Sequence, residues 1–596
     1  MAKKFIDVMD TSFRDGFQSV YGGRVLMNDF FPAVEAAKMA GINHFEFGGG
    51  ARFQSLYFYL REDAFEMMDK FREIVGPDAN LQTLSRGVNT VMLDTGSKEL
   101  IDLHAKMFKK HGTTTIRNFD ALNDVENLKY SGERIAHHGL KHEVVVTMMD
   151  LPPGCHGAHD VKFYEKTLRG ILDAGIPYDS ICFKDASGTS NPQKVFETIK
   201  MARALVPEGT HLRLHTHETA GVSVSAYMAA LEAGIDGIDM AAAPVSGGTS
   251  QPDILTMLHA TKGMNFDLGG LEIGKILTYE KELQSCLSDY FMPPEATMVS
   301  PVIPFSPMPG GALTANTQMM RDNGILDRFP EVIAAMQEVV EKGGYGTSVT
   351  PVSQFYFQQA LNNVMQGPWK AIAPGYGKMV LGYFGKTPVA PDPEIVKIAS
   401  EKLGLEPTTM NAIDIADADE TKSLQHAIDK LKENDLEVTE ENIFIVAACQ
   451  DKGISFLLGK GELNVRKISE MKNDCGDGSM GNGNYTVVVN GEKFSVQVAE
   501  GDANIQVTAV NGESAVTVPS PVGSVNDIDI KALLPGSVWK IVANPGQSVN
   551  EGDVILILES MKMEIDVIAP RGGVIQSINV ATNDKVVEGQ IVAVLG

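Results

Sequence analysis

Through the first half of the chain, short runs of apolar and β-branched residues alternate with longer stretches whose apolar positions recur every three or four residues. This is the pattern of strands each followed by an amphipathic helix. Eight strands are predicted, over 5–9, 44–47, 81–84, 114–119, 144–149, 180–183, 212–215 and 237–241. Eight strand–helix units in about 250 residues are the count and length of a TIM (β/α)8 barrel, an α/β fold whose active site forms where the strands end. From about 270 to 465 the period is mostly helical, as over 329–340 and 395–403, with Pro and Gly breaks between.

Small polar residues then take over. The stretches 476–484 and 512–526 read as flexible linkers. Between them 485–489, Asn490-Gly491 and 494–498 carry the signal of a hairpin with a type I′ turn. From 527 to 596 the chain repeats itself: Gly536 and Gly552 stand 16 residues apart, as do Gly573 and Gly589, and Val549-Asn550-Glu551-Gly552 is echoed by Val586-Val587-Glu588-Gly589. The centre of the repeat falls at Lys562, inside Glu559-Ser560-Met561-Lys562-Met563-Glu564. Valine- and isoleucine-rich strands, among them 554–558 and 591–595, predict two interlocked β-layers with Lys562 on an exposed hairpin tip. The expected division is a barrel over 1–300, a helical extension over 301–470, a linker with hairpin over 471–526 and a small all-β domain over 527–596.

Composition narrows the function. With 596 residues, 43% of them hydrophobic, the chain has material for several full cores. A formal charge of -25 argues against nucleic acid as a partner, because association with a phosphate backbone would be repulsive over most of the surface. The five cysteines, Cys155, Cys182, Cys286, Cys449 and Cys475, are scattered without a Cys-x-x-Cys pair, as expected of a reducing cytoplasm. No stretch approaches the ~20 apolar residues needed to cross a bilayer, so any membrane role is expected to come through a partner.

Polar residues gather just after the strands: Arg14-Asp15 after the first, Arg86 after the third, Lys184-Asp185 after the sixth, His215-Thr216-His217 after the seventh. Residues two apart on a strand share a face, so His215 and His217 can aim both imidazoles at one point. With Asp15 they form a candidate divalent-metal site with open positions for substrate. A His-x-His pair is as often structural as metal-binding; its place at a barrel strand end favours the metal. The run Gly247-Gly248-Thr249-Ser250-Gln251-Pro252 lacks the lysine and helix entry of a phosphate loop and reads as a shaped barrel loop.

Four stretches resemble, in order and spacing, the carboxyltransferase domain of pyruvate carboxylase, a domain shared with the α subunit of oxaloacetate decarboxylase and with transcarboxylase. They are Phe13-Arg14-Asp15-Gly16-Phe17-Gln18-Ser19, Phe119-Asp120-Ala121-Leu122-Asn123-Asp124, Cys182-Phe183-Lys184-Asp185 and His215-Thr216-His217. Met561-Lys562-Met563 at its dyad resembles the biotinyl (barrel-sandwich) domain of biotin-dependent carboxylases. The resemblance implies a metal, usually zinc, held by Asp15, His215, His217 and a carbamylated Lys184. A protonated ammonium cannot ligate a cation, whereas its adduct with carbon dioxide is a carboxylate-like anion; a Schiff-base lysine and an ion pair with Asp185 are the other readings of Lys184. It further implies that Arg86 grips a substrate carboxylate, that Gln18 lies near the keto acid, that Thr350 moves a proton with Ser353 near biotin, and that biotin protein ligase attaches biotin to Lys562. For Thr350, followed by Pro351, a helix N-cap is the alternative role. Met308-Pro309-Gly310-Gly311 and Val349-Thr350-Pro351-Val352-Ser353-Gln354 resemble segments that fold back over the barrel mouth.

Three positions depart from the family pattern: Leu93 where a tyrosine is usual, Ala312 where a glutamine follows Gly-Gly, and Gln354 in place of the lysine of single-chain pyruvate carboxylases. The last two lean towards the branch in which the activities lie on separate chains. The implied activity is carboxyl transfer between biotin and pyruvate or oxaloacetate. Nothing resembles an ATP-grasp biotin carboxylase, so the expected partner is a separate biotin carboxylase subunit, or the membrane subunits of a sodium-pumping oxaloacetate decarboxylase, with the chain itself a homo-oligomer. The rivals are a carboxyltransferase for another small oxo acid, a metal-dependent aldolase or lyase barrel with an attached carrier domain, and a carrier whose barrel is inactive.

Overall fold

The computed structural model describes residues 3–470, 483–489, 492–498, 528–532, 536–560, 563–582, 584–587 and 589–596. Contacts divide the chain into two units, Met1–Arg466 and Lys467–Gly596. In the first, β1 (Lys4–Asp10), β2 (His44–Gly49), β3 (Asn80–Ser85), β4 (Thr115–Asn118), β5 (Lys141–Thr147), β6 (Ser180–Asp185), β7 (His211–Thr216) and β8 (Gly237–Met240) pair in parallel with their neighbours. Because β1 pairs with both β8 and β2, the sheet closes into a (β/α)8 barrel. All eight expected strands are present. A ninth, β9 (Phe266–Leu268), which the sequence pattern did not predict, adds in parallel to the start of β1.

The expected boundaries fall short at the ends that matter: β6 runs on through Lys184 to Asp185, and β7, expected to end at His215, continues to Thr216. Polar side chains end an apolar run in the sequence, but here they continue the strand. Strand alternation puts Leu212 and Leu214 of β7 into the apolar layer. Arg213 and His215 between them face the barrel axis: Arg213 reaches Asp7 on β1, Glu143 on β5 and Asp239 on β8. Arg117 on β4 likewise reaches Asp239 directly across the barrel at 2.5 Å. Branched aliphatic side chains usually fill a barrel of this kind; this one is filled by a buried ion network.

Beyond the barrel the chain is helical, as the period predicts, with helices such as Phe329–Lys342, Val352–Gln366 and Pro393–Leu403. Helix Glu440–Leu457 returns to the barrel wall, where Phe444 contacts Phe53, Phe65 and Phe108 edge-on or tilted. No helix among the described residues is long and apolar enough to cross a membrane.

In the second unit β10 (Gly483–Val489) and β11 (Glu492–Val498) form an antiparallel pair with Val489 opposite Glu492. Asn490-Gly491 and both linkers, apart from Gly483 and Asn484, lie outside the described residues. The rest forms two four-stranded sheets: β12 (Ile528–Lys531), β19 (Ile591–Leu595), β17 (Gly573–Ile578) and β14 (Ser548–Val549) in one, β16 (Met563–Ile568), β15 (Val554–Ser560), β13 (Gly536–Ile541) and β18 (Lys585–Val586) in the other. Each repeat lends a strand to the other's sheet: β14 of the first pairs with β17 of the second, and β18 of the second with β13 of the first. These are the interlocked layers expected. Gly552 and Gly589, equivalent in the repeat, both take left-handed backbone at φ 89° and 78°. Strands β15 and β16 pair out to Ser560 opposite Met563, while Met561 and Lys562 lie outside the described residues.

Candidate active site

Leaving β1, the chain makes one π-helical turn, Ser12–Gly16, a distortion frequent at functional sites. Asp10 holds it by accepting from Ser12 N at 2.9 Å and Ser12 Oγ at 2.5 Å. The turn points Arg14 and Asp15 into the barrel mouth, where β7 delivers His215 and its continuation His217. Asp15 Oδ2 lies 3.2 Å from Nε2 of each histidine, and the two Nε2 atoms are 3.1 Å apart. Lys184, at the end of β6, brings its Nζ to 2.7 Å from His215 Nε2. The four residues named from the sequence therefore meet, all of them buried.

Whether they suit a metal can be read from their hydrogen bonds. His217 Nδ1 lies 2.7 Å from the Thr249 carbonyl, which only accepts, so the proton sits on Nδ1. His215 Nδ1 lies 2.8 Å from Asp239 Oδ2, with the same consequence. Both Nε2 lone pairs thus face each other and a carboxylate oxygen, a donor set that suits a divalent cation. Burial raises the Asp15 carboxyl pKa, but Arg14 and the two histidines outweigh it and hold Asp15 well below the usual carboxylate range. Burial pushes His215 down, and Lys184 adds to this. Lys184 is pushed down by burial and by Arg14 and Arg117, against the pull of Asp15. That direction favours the neutral amine that addition to carbon dioxide requires.

Arg14, Asp15, Gln18, Arg86, Lys184, His217 and Thr350 line one small cavity of about 30 Å³, together with Leu84, Phe119 and the covering residues Pro309, Gly311, Ala312 and Val349. Arg86 is buried and donates from Nη1 to the carbonyls of Val91 at 2.7 Å and Met92 at 3.0 Å, while its Nε has no partner. No carboxylate pairs with it among the described residues, and burial, with Arg14 nearby, pushes its pKa down to about 9. Gln18 Oε1 is also buried without a partner. Arg86 and Gln18 converge beside Gly50, where an added Cβ would meet Arg86 Nη2 at 3.6 Å and Gln18 Oε1 at 3.9 Å.

Thr350 is no helix cap. Helix Val352–Gln366 has Pro351 at its N-cap and no side-chain cap hydrogen bond. Ser353 Oγ is buried without a partner. Leu93, the departure nearest Arg86, is 43% exposed and is not part of the cavity wall. The sequence did not point to Asp239, which accepts from His215 Nδ1 at 2.8 Å, or to Arg117, which holds Asp239 Oδ2 at 2.5 Å. The available signal was a charged residue in the middle of each of two runs read as buried strands.

Comparison with known proteins finds similarity over nearly the whole chain. A family model described as a conserved carboxylase domain matches residues 303–505, and one described as a biotin-requiring enzyme matches 529–595. The B subunit of pyruvate carboxylase from Methanothermobacter thermautotrophicus is 30% identical over 94% of this chain and 94% of its own length. The methylmalonyl-CoA carboxyltransferase 5S subunit of Propionibacterium freudenreichii subsp. shermanii is 30% identical over 69% of this chain and 79% of its own. The carboxyl transferase domain of Rhizobium etli pyruvate carboxylase, solved with pyruvate and biocytin, superposes with a TM-score of 0.69 at 25% identity, covering 77% of this chain and 78% of that one.

Proposed function

The chain belongs to the biotin-dependent carboxyltransferase family that includes the B subunits of two-chain pyruvate carboxylases, and from that premise we propose that it moves a carboxyl group between N1 of biotin carried on Lys562 and the methyl carbon of pyruvate, giving oxaloacetate. The observation that carries the substrate class is Arg86, a buried guanidinium without an acidic partner among the described residues, in the same cavity as Asp15, Lys184 and His217. A buried charge of this kind is costly unless an anion arrives to meet it, and its planar fork suits a carboxylate.

Asp15, His215, His217 and the carbamate of Lys184 would hold a divalent metal, zinc in the family's usual case. Such an ion supplies Lewis-acid polarisation of the keto oxygen. Arg86 binds and orients the substrate carboxylate, and Gln18 lines the same cavity beside it. The Thr350 hydroxyl takes the proton that leaves the methyl carbon as the carboxyl group is added, and delivers it to the vacated biotin nitrogen; in reverse it returns the proton. Phe119, Pro309 and Val349 wall the cavity and keep water from the reacting carbon.

The test is carboxyl exchange with oxaloacetate in the presence and absence of avidin. A carboxyltransferase stops when its biotin is sequestered; a metal-dependent lyase with an idle carrier continues. Pyruvate should be the preferred acceptor over larger oxo acids. We expect the chain to act with a separate biotin carboxylase subunit. Affinity purification from native cells under mild detergent should recover that partner, and recovery of membrane subunits instead would assign the chain to oxaloacetate decarboxylation.

A further inference from the structure

The glycine-rich loop 247–252, read from the sequence only as a shaped barrel loop, touches the metal site at two points. The Thr249 carbonyl accepts from His217 Nδ1 at 2.7 Å. The Gln251 amide nitrogen lies 2.9 Å from Asp15 Oδ2 and 3.0 Å from His217 Nε2. Its orientation is fixed, because an ionised carboxylate only accepts and the group facing Asp15 must be the NH₂. The Oε1 end faces the hydroxyls of Thr11 at 2.7 Å and Ser250 at 3.1 Å. Gln251 is fully buried.

We propose that Gln251 is a positioning residue for the metal, one that, with Arg14 holding Oδ1, keeps Asp15 Oδ2 turned towards the histidines. The inference rests on the metal reading above. Asp15 Oδ1 is occupied by Arg14 Nη1 at 3.1 Å, while Oδ2 faces both histidines and the Gln251 amide. The carboxylate is thereby held for one-oxygen ligation through Oδ2, which leaves coordination positions free for substrate. The same amide also faces the His217 lone pair, so it fills the space between the ligands until an ion takes that lone pair. The loop is fixed from above as well: Gly310 of the covering segment lies so close that a Cβ there would come within 1.6 Å of the Thr249 carbonyl oxygen.

Two substitutions pull in opposite directions. Gln251→Leu keeps the bulk and removes the donor; Gln251→Glu keeps the shape and puts a carboxylate oxygen where the amide was. In the full-length chain, Zn²⁺ affinity measured by competition with a chromophoric chelator should fall about 10- to 100-fold in Gln251→Leu, the usual effect of losing an outer-shell partner. It should rise in Gln251→Glu, whose carboxylate becomes an added ligand. The visible bands of the Co²⁺-loaded protein should shift towards higher coordination number in Gln251→Glu. A purely structural role would lower affinity in both variants and leave the cobalt bands in place; that result, or unchanged affinity in both, overturns the proposal. Should Gln251→Leu fail to fold, the direction of the Gln251→Glu change decides alone. A wild-type chain that binds neither ion would instead overturn the metal reading itself.

Discussion

Replacing Arg86 with methionine should separate catalysis from stability. Burial lowers the Arg86 pKa to about 9, far below the usual guanidinium range, which corresponds to a penalty of about 5 kcal/mol for holding the charge inside the protein. At neutral pH the guanidinium is charged in the folded and unfolded chain alike, so the whole penalty is present; it would begin to lift only as pH rose above about 9. Methionine removes the penalty but leaves the Val91 and Met92 carbonyls without their donor, at about 1–3 kcal/mol each. The two effects nearly cancel, and the melting temperature should stay within about 3 °C of wild type. Catalysis has no such compensation. Losing one partner of a buried charge pair costs about 2–5 kcal/mol, or about 30- to several-thousand-fold in kcat/KM. The assay is oxaloacetate-dependent carboxyl transfer at saturating biotin, alongside calorimetry. If Arg86→Met keeps kcat/KM within about threefold of wild type, the guanidinium does not bind the substrate. If it melts far lower, the bonds to Val91 and Met92 were its main work.

Lys562→Arg should abolish biotinylation, read by streptavidin blot and intact mass; biotin found on any other residue would refute the assignment. His217→Ala should lose most of the bound divalent metal by elemental analysis, since one imidazole and two anionic ligands hold the ion less tightly. With no cap hydrogen bond to lose, Thr350→Ala should melt like wild type yet fall about 10²- to 10⁴-fold in kcat, while Thr350→Ser keeps part of the rate; full activity in the alanine variant would mean the proton travels another way. Burial and the neighbouring Asp253 raise the Glu280 pKa to about 8. The stability this contributes is whole below about 4.5 and is lost as pH climbs to about 8, so Glu280→Gln should raise the melting temperature at pH 8.5 and leave it unchanged at pH 4; equal shifts at both would refute the cause.

Much of the barrel was legible because its strands are short apolar runs set at regular intervals, and hydrophobic periodicity is the strongest signal a single sequence carries. The same dependence explains the misses. Phe266-Asp267-Leu268 is too short to show a period, so β9 went unseen. Lys184 belongs to β6 but falls just past the predicted strand, because a run of apolar letters stops at the first charge. The repeat in the carrier was visible because Gly552 and Gly589 answer the same turn requirement twice.

The site divides along a similar line. Asp15, Lys184, His215 and His217 sit where any barrel places its chemistry, so strand ends plus ligand chemistry were enough to gather them. Thr350 comes from a segment more than 100 residues beyond the last barrel strand, and nothing in local pattern says that this segment covers the mouth; it was named only by resemblance. Arg117, Asp239 and Gln251 were missed for another reason: their partners lie on other elements, and the energy that keeps them buried is pairwise. Arg117 is stable inside the barrel only because Asp239 and Glu143 are already there, and Asp239 is held well below the usual carboxylate range, against burial, by Arg117, His215 and Arg213. No single position in the sequence carries that information, since each of these residues, taken alone, reads as a polar group that should be facing water.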